Sequence, residues 1–272
     1  MTSTSLREIL KFPARRSQSK PRTTGLTMAV DDGLPLHRLK DLLDLSGDYV
    51  DEAKFIGSSA CLLTPEMLNA KIALYRDHGI DVFFGGQFTE VLYAQGGKAA
   101  VETGVQALQD LGVASAEISD TYDFIPLSVR LDLMDLALGI GLKLHGEVGA
   151  KEALGDGDKL VEEALACFEA ACHMVTIEAG EFVDANTGGI NRPVFDAIQR
   201  GLSDRIDRIM FEIPGRWIPG TTSSQIHRMS KELIGLAGPD VSIGSVAFDN
   251  VFIVEAVRNG LTGRPLGPKA LD

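Results

Sequence analysis

Cysteine, aromatic residues and positive charge are all scarce in this chain, and each shortage excludes a class of protein. The only cysteines are Cys61, Cys167 and Cys172. They form no Cys-x-x-Cys pair and cannot all be paired with one another. A disulfide framework is therefore not expected, and reduced thiols in a cytoplasmic protein are. Lysine and arginine number 26 against 38 aspartates and glutamates, a net charge of −12. A phosphate backbone would be repelled outside any local basic patch, so nucleic acid is not an expected partner. No apolar run reaches 18 residues, so no helix is expected to span a membrane. Gly-x-Gly-x-x-Gly is missing from the first strand–helix turn, which weakens a dinucleotide-binding sheet.

What the chain does contain is glycine and apolar aliphatic sequence. With 29 glycines, 44% hydrophobic residues and a length of 272, it suits one large α/β domain with many tight turns; an eight-stranded α/β barrel needs roughly 250 residues. The N-terminus differs in composition. Residues 1–22 carry Arg7, Lys11, Arg15, Arg16, Lys20 and Arg22 against Glu8 alone. An Arg- and Ser-rich, acid-poor start fits either a transit peptide or a basic arm. Residues 1–20 are accordingly expected to be a mobile segment outside a barrel domain of residues 21–272.

Apolar runs of strand length alternate with helical periodicity along the rest of the chain. Strands are expected at residues 25–30, 48–55, 80–84, 113–118, 142–148, 173–177, 208–213 and 241–244. Helices follow each, one opened by Thr64-Pro65-Glu66 and a long one interrupted at Gly96-Gly97. Eight strand–helix units predict a single-domain (β/α)8 TIM-type barrel, with an open doubly wound sheet as the alternative.

Several strands end in the same way, with an acid and then a break. Ala116-Glu117-Ile118-Ser119-Asp120, Leu144-His145-Gly146-Glu147, Val175-Thr176-Ile177-Glu178 and Met210-Phe211-Glu212 share this pattern, and strand one ends at Asp31. In a barrel these ends form one mouth, where chemistry is built. A wall of carboxylates there suits a divalent cation, with Asp31, Glu178 and Glu212 as candidate ligands. Lys54 ends strand two beside these acids, placed either to meet a small anionic substrate or to neutralise Glu147 and its neighbours. Gly244-Ser245 before the last helix supplies small residues and free amides for a phosphate, and Arg216 is a further candidate for substrate. His145 shares a strand face with Glu147 and reads as a core residue, while His37, His78, His173 and His227 show no metal-ligand spacing.

In order and spacing, these segments resemble the phosphosulfolactate synthase family of coenzyme M biosynthesis. The resemblance rests on Arg22-Thr23-Thr24-Gly25-Leu26-Thr27-Met28 with Asp31 and Gly33, and on Gly47-Asp48-Tyr49-Val50-Asp51 with Lys54-Phe55. It continues through Tyr75-Arg76-Asp77-His78-Gly79, Gly85-Gly86, Glu117-Ile118-Ser119-Asp120, Glu147-Val148-Gly149 with Lys151, Ile177-Glu178-Ala179 and Phe211-Glu212 with Pro214. It implies a (β/α)8 barrel that uses Mg²⁺ to add sulfite across phosphoenolpyruvate, with Lys151 as general acid and Lys54 and Glu147 in the catalytic machinery. A homo-oligomer is expected as well. An alternative is a non-catalytic or stress-related homologue, since plant heat-stress-associated proteins also resemble this family.

The chain departs from the family where cations are usual. Asp32 stands in the family's Asp-Lys-Gly, Ala150 replaces a lysine, Gly180 replaces an arginine, and Ile56-Gly57-Ser58 replaces Gly-Trp-Gly. Each charge-assisted hydrogen bond is worth about 1.5–3 kcal/mol. Such losses imply weakened binding of phosphoenolpyruvate and sulfite, or a changed anionic substrate.

Overall fold

A computed structural model describes residues 6–149, 155–184, 187–216 and 221–262. The expected barrel is observed. Strands β1 (Thr27–Asp31), β2 (Glu52–Phe55), β3 (Asp81–Phe84), β4 (Ser115–Ile118), β5 (Lys143–Val148), β6 (Met174–Ile177), β7 (Ile209–Glu212) and β8 (Ser242–Ala247) pair in sequential order and close on themselves. All pairings are parallel, from Met28↔Glu52 between β1 and β2 round to Ala29↔Val246 between β1 and β8. The open doubly wound sheet is thereby excluded.

Most strands are buried along their whole length, because helices cover the outside and side chains fill the inside. That is why they read as continuous apolar runs in which a single acid stands out. The outer layer comprises α1 (Leu6–Ile9), α2 (Leu36–Ser46), α3 (Pro65–Asp77), α4 (Gln87–Asp110), α5 (Leu127–Ile140), α6 (Gly157–Glu169), α7 (Ala179–Phe182), α8 (Arg192–Gly201), α9 (Ser223–Ala237) and α10 (Phe248–Arg258). Thr64 caps α3 by accepting from the Met67 amide, with Pro65 at the first helical position. Helix α4 is kinked where Gly96 and Gly97 leave helical geometry, Gly97 at φ +63°, so the glycine pair marks a bend and the helix continues beyond it.

Two differences from expectation have local causes. Strand β8 runs past Gly244 to Ala247, because β1 offers Ala29 and Val30 as partners after a register shift, with Ser245 at φ +56°. Helix α7 was not expected. It exists because the Glu178 carboxylate caps it, accepting from the Gly180 amide, which a four-residue helix needs.

Part of the basic N-terminal segment is tied to the lower end of the barrel through Arg16 and Arg22. Arg16 is 2% exposed and donates to both Glu255 carboxylate oxygens (3.1 and 2.6 Å) and to the Gly25 carbonyl (2.5 Å). Arg22 joins Asp51 at 2.9 Å and the Asp48 carbonyl at 2.8 Å. Arg258 donates to the Val241 and Pro239 carbonyls at 2.6 and 2.8 Å. The Arg16–Glu255 pair joins residues 239 positions apart in sequence.

Inside the barrel the polar residues lie in layers. Glu52, His145 and His173 lie low, near the strand starts, with Glu52 and His145 buried and His173 half-buried. Burial alone would raise the Glu52 carboxyl, but His145 and His173 outweigh it and hold it well below the usual range. Burial, the largest influence on it, pushes the His145 imidazole below its ordinary value.

Breaking a buried ion pair by removing one partner costs about 3–5 kcal/mol. Arg16→Ala is therefore expected to destabilise the fold by that amount in denaturant titrations; an unchanged midpoint would show the segment to be loosely attached. Burial would raise the Glu255 carboxyl, but the Arg16 hydrogen bonds and charge hold it below its ordinary value. Stability from this pair is then complete above the unfolded value of about 4.3 and lost as pH falls through the lower folded value. Glu255→Gln should flatten that acid limb.

Candidate active site

The upper mouth is organised by one lysine. Lys54 rises from the third position of β2 into the barrel, two residues beyond Glu52 and so on the same side of the strand. Its ammonium lies 2.8 Å from Glu117 Oε2, 3.0 Å from Glu147 Oε2 and 3.2 Å from Glu212 Oε1. The four side chains come from β2, β4, β5 and β7. All are nearly closed to solvent, the lysine side chain 11% exposed and the acids 6% or less.

Burial would make the lysine easier to deprotonate, but the three carboxylates raise its pKa well above the ordinary value. It is a fixed cation. Glu117 moves the other way: burial, with repulsion from Glu147 and Glu212, raises it to about 8 against the pull of Lys54.

Two glycines make room for this arrangement. A Cβ on Gly85 would stand 3.0 Å from Lys54 Cε, and one on Gly86 would stand 2.0 Å from Ser119 Oγ. Without that atom, the Gly86 amide reaches Glu117 Oε2 at 2.6 Å, which fixes the carboxylate that orients the lysine. Behind it, Glu90 of α4 accepts from Ser119 Oγ and from the Thr121 amide and hydroxyl, pinning the loop after β4. Asp120, another strand-end acid, is occupied by the Phe124 and Ile125 amides.

Glu147, Glu178 and Glu212 bring one oxygen each to within 4.8 Å of the others. Oxygen donors at this spacing suit a hard divalent cation. These residues and Lys54 line a cleft of about 80 Å³ with Val30, Thr121 and Ser245.

Other expected site residues are placed differently. Asp31 does not join the acid cluster. Its oxygens accept from Lys71 (2.6 and 2.8 Å), Tyr75 (2.8 Å) and the Gly33 and Leu34 amides, and it is 1% exposed. Those four donors use up its capacity as a metal ligand. At Gly244 a Cβ would meet Met28 Cε at 3.0 Å and Met210 Cγ at 3.1 Å, so the glycine makes room for those packed methionines. Ser245 does reach the cleft, donating to Glu212 Oε1 at 2.6 Å. Arg216 stands at the rim, where it grips Asp32 through two nitrogens at 2.6–2.9 Å and lies 3.6 Å from Asp249. It is not directed at the cleft as a free anion-binding group. Lys151 lies outside the described residues.

Sequence reasoning missed the Lys71–Tyr75 support of Asp31. Its signal was a lysine and a tyrosine four residues apart on the inward face of α3 beside Ile72, where a lysine is rarely placed unless it is paired.

Fold and site together define a (β/α)8 barrel with a charged site at its C-terminal mouth, the position where enzymes of this fold carry their chemistry. The chain belongs to the family described as (2R)-phospho-3-sulfolactate synthase (ComA), whose model matches residues 15–264. Among curated relatives it is 30% identical over 263 residues to the phosphosulfolactate synthase of Methanothermobacter thermautotrophicus, covering 91% of this chain and 93% of that one. It is 27% identical over 252 residues to that of Methanocaldococcus jannaschii (89% and 94%) and 28% identical over 263 residues to that of Bacillus subtilis (93% and 95%). Among solved structures, the carboxyl transferase domain of Rhizobium etli pyruvate carboxylase superposes with a TM-score of 0.59 at 13% identity, over 92% of this chain and 46% of that one. A putative deoxyribose-phosphate aldolase from Toxoplasma gondii superposes with a TM-score of 0.54 at 12% identity, over 87% and 94%. These last two likenesses concern the fold alone.

Replacing Lys54 with methionine leaves Glu147 and Glu212 without their shared cation. K54M is expected to lose about 3–5 kcal/mol, and millimolar Mg²⁺ should raise its Tm more than that of the wild type, because an ion bound only to the folded state stabilises it. Equal Tm values for the two proteins would show that the lysine carries no such burden.

Proposed function

We propose that this chain is a magnesium-dependent, phosphosulfolactate synthase-like enzyme. It would add sulfite, or a similarly small nucleophile, to phosphoenolpyruvate or a closely related anion. The observation that carries the reading is the convergence of Glu147, Glu178 and Glu212 within 4.8 Å beside Lys54 at the barrel mouth.

In the reaction, the sulfur lone pair of bisulfite bonds to the terminal methylene carbon of phosphoenolpyruvate. The double-bond electrons move toward the carboxylate, and a proton then adds to the carbon bearing the phosphate. Mg²⁺, held by Glu147, Glu178 and Glu212, would stabilise the negative charge that develops on the substrate carboxylate. Lys54, fixed in its charged form, adds a second positive centre on the same wall. Glu117 positions Lys54, and Ser245 orients Glu212. Lys151, on the family resemblance, delivers the proton to carbon.

At the rim, Asp32 and Arg216 neutralise one another where the family carries a lysine. The mouth is thereby less positive toward anions, which supports a weaker grip on the phosphoenolpyruvate–sulfite pair. A cytoplasmic setting and a homo-oligomer are part of this reading.

The test is purified protein with phosphoenolpyruvate, sulfite and Mg²⁺, with product read by mass spectrometry. Slow, chelator-sensitive formation of phosphosulfolactate is expected, and Lys151→Ala should lower kcat by about 10²–10⁴ with little change in KM. No product at millimolar substrates would reject the reaction for this chain and favour a different anion or a non-catalytic role.

A further inference from the structure

The acids of the upper mouth are not the only ligand-type side chains that the barrel gathers. In the layer beneath, Glu52 of β2, His145 of β5 and His173, which precedes β6, each bring one ligand atom to within 4.8 Å of the others. We infer that these three residues form a second metal site, one that takes a zinc-type divalent ion. The site is independent of the upper carboxylates and of the reaction proposed for them.

The spacing fits such an ion. Glu52 Oε1 lies 3.2 Å from His145 Nε2 and 3.8 Å from His173 Nε2. A tetrahedral zinc with bonds of about 2.0 Å holds its ligands about 3.3 Å apart. Small side-chain shifts would therefore seat the ion. The donor set of two imidazoles and a carboxylate is one that zinc uses, with a fourth position open to water.

Buried atoms left without partners point the same way. His145 is fully buried and Glu52 is 6% exposed, yet both His145 nitrogens and Glu52 Oε2 lack a hydrogen-bond partner. The contact from His145 Nε2 to Glu52 is short without being a hydrogen bond in direction, so a simple ion pair does not account for it. Unpaired buried polar atoms are rare and costly; a shared cation would satisfy the imidazole and the carboxylate together.

The surroundings fix the ligands as metal sites usually do. His173 Nδ1 lies 2.5 Å from the Leu144 carbonyl, which sets the proton on that nitrogen and leaves Nε2 as the lone-pair donor. The His145 ring stacks on Phe83 at 4.3 Å and 10° and meets His173 edge-on at 4.4 Å and 82°, so it has little room to turn away. The His173 side chain is 35% exposed, which gives an ion entry from the lower end. Lys54 stands two residues further along β2, about 7 Å up the strand, so an ion here adds positive charge one layer below the carboxylates.

The experiment strips full-length protein with a chelator, adds Zn²⁺, dialyses and counts retained metal by elemental analysis. The wild type should retain one equivalent and show a rise in Tm. Co²⁺ in its place should give the intense visible bands of four- or five-coordinate cobalt. His173→Ala, at a half-buried position, and Glu52→Gln should each lose that equivalent, the Tm rise and the bands. Glu178→Gln should keep all three, which separates this site from the upper cluster whatever that cluster's activity proves to be. Circular dichroism checks that each variant is folded, and His173→Ala decides the question if Glu52→Gln is not. Retention that is equal in wild type and His173→Ala, or none in wild type, would overturn the inference.

Discussion

One buried ammonium in contact with three carboxylates sets the terms for the upper half of this molecule. Three acids from three strands can be closed off from water together only if a cation sits among them, because each unpaired buried charge costs several kcal/mol. Lys54 supplies that cation, and much else follows from its position. Gly85 must lack a side chain for the lysine to pass, and Gly86 must lack one for its amide to hold Glu117. Glu212 is turned toward the lysine by Ser245. Glu147 and Glu212, with Glu178 beside them, also bring one oxygen each to within 4.8 Å of the others.

The two ends of the barrel divide the work. At the lower end Arg16 and Arg22 of the N-terminal segment and Arg258 of α10 bind carbonyls that precede the strands, which ties the segment to that end. Those contacts are buried, bidentate in the case of Arg16 and Glu255, and serve cohesion. The upper end carries residues whose charges are forced close together. Barrels of this kind commonly keep stability at the bottom and chemistry at the top. The Glu52, His145 and His173 layer lies between these regions.

The rim shows how substitutions can compensate one another. Read along the chain, Asp32 looks like a lost cation. In the folded protein it faces Arg216, and Asp249 faces both Arg216 and Arg38. The loops after β1 and β7 are thereby joined across the end of β8. The positive charge is present but is spent on a carboxylate of the same molecule, which changes what the mouth offers to an anion.

Much of the barrel was legible in the sequence, because parallel strands covered on both faces leave continuous apolar runs and their turns leave glycines. The order of eight strand–helix units determined the fold class, and the recurring strand-end acid located the mouth with Lys54, Glu147, Glu178 and Glu212 in it. Which acids share a cation was decided only in three dimensions. Asp31 and Glu212 end their strands alike, yet Asp31 is bound by Lys71 and Tyr75 of α3, while Glu212 faces Lys54. Likewise, His145 and His173 show no ligand spacing along the chain and meet over Glu52 only because β2, β5 and β6 bring them there. A strand's sequence specifies which side chains point inward; barrel closure and strand stagger specify whom they meet.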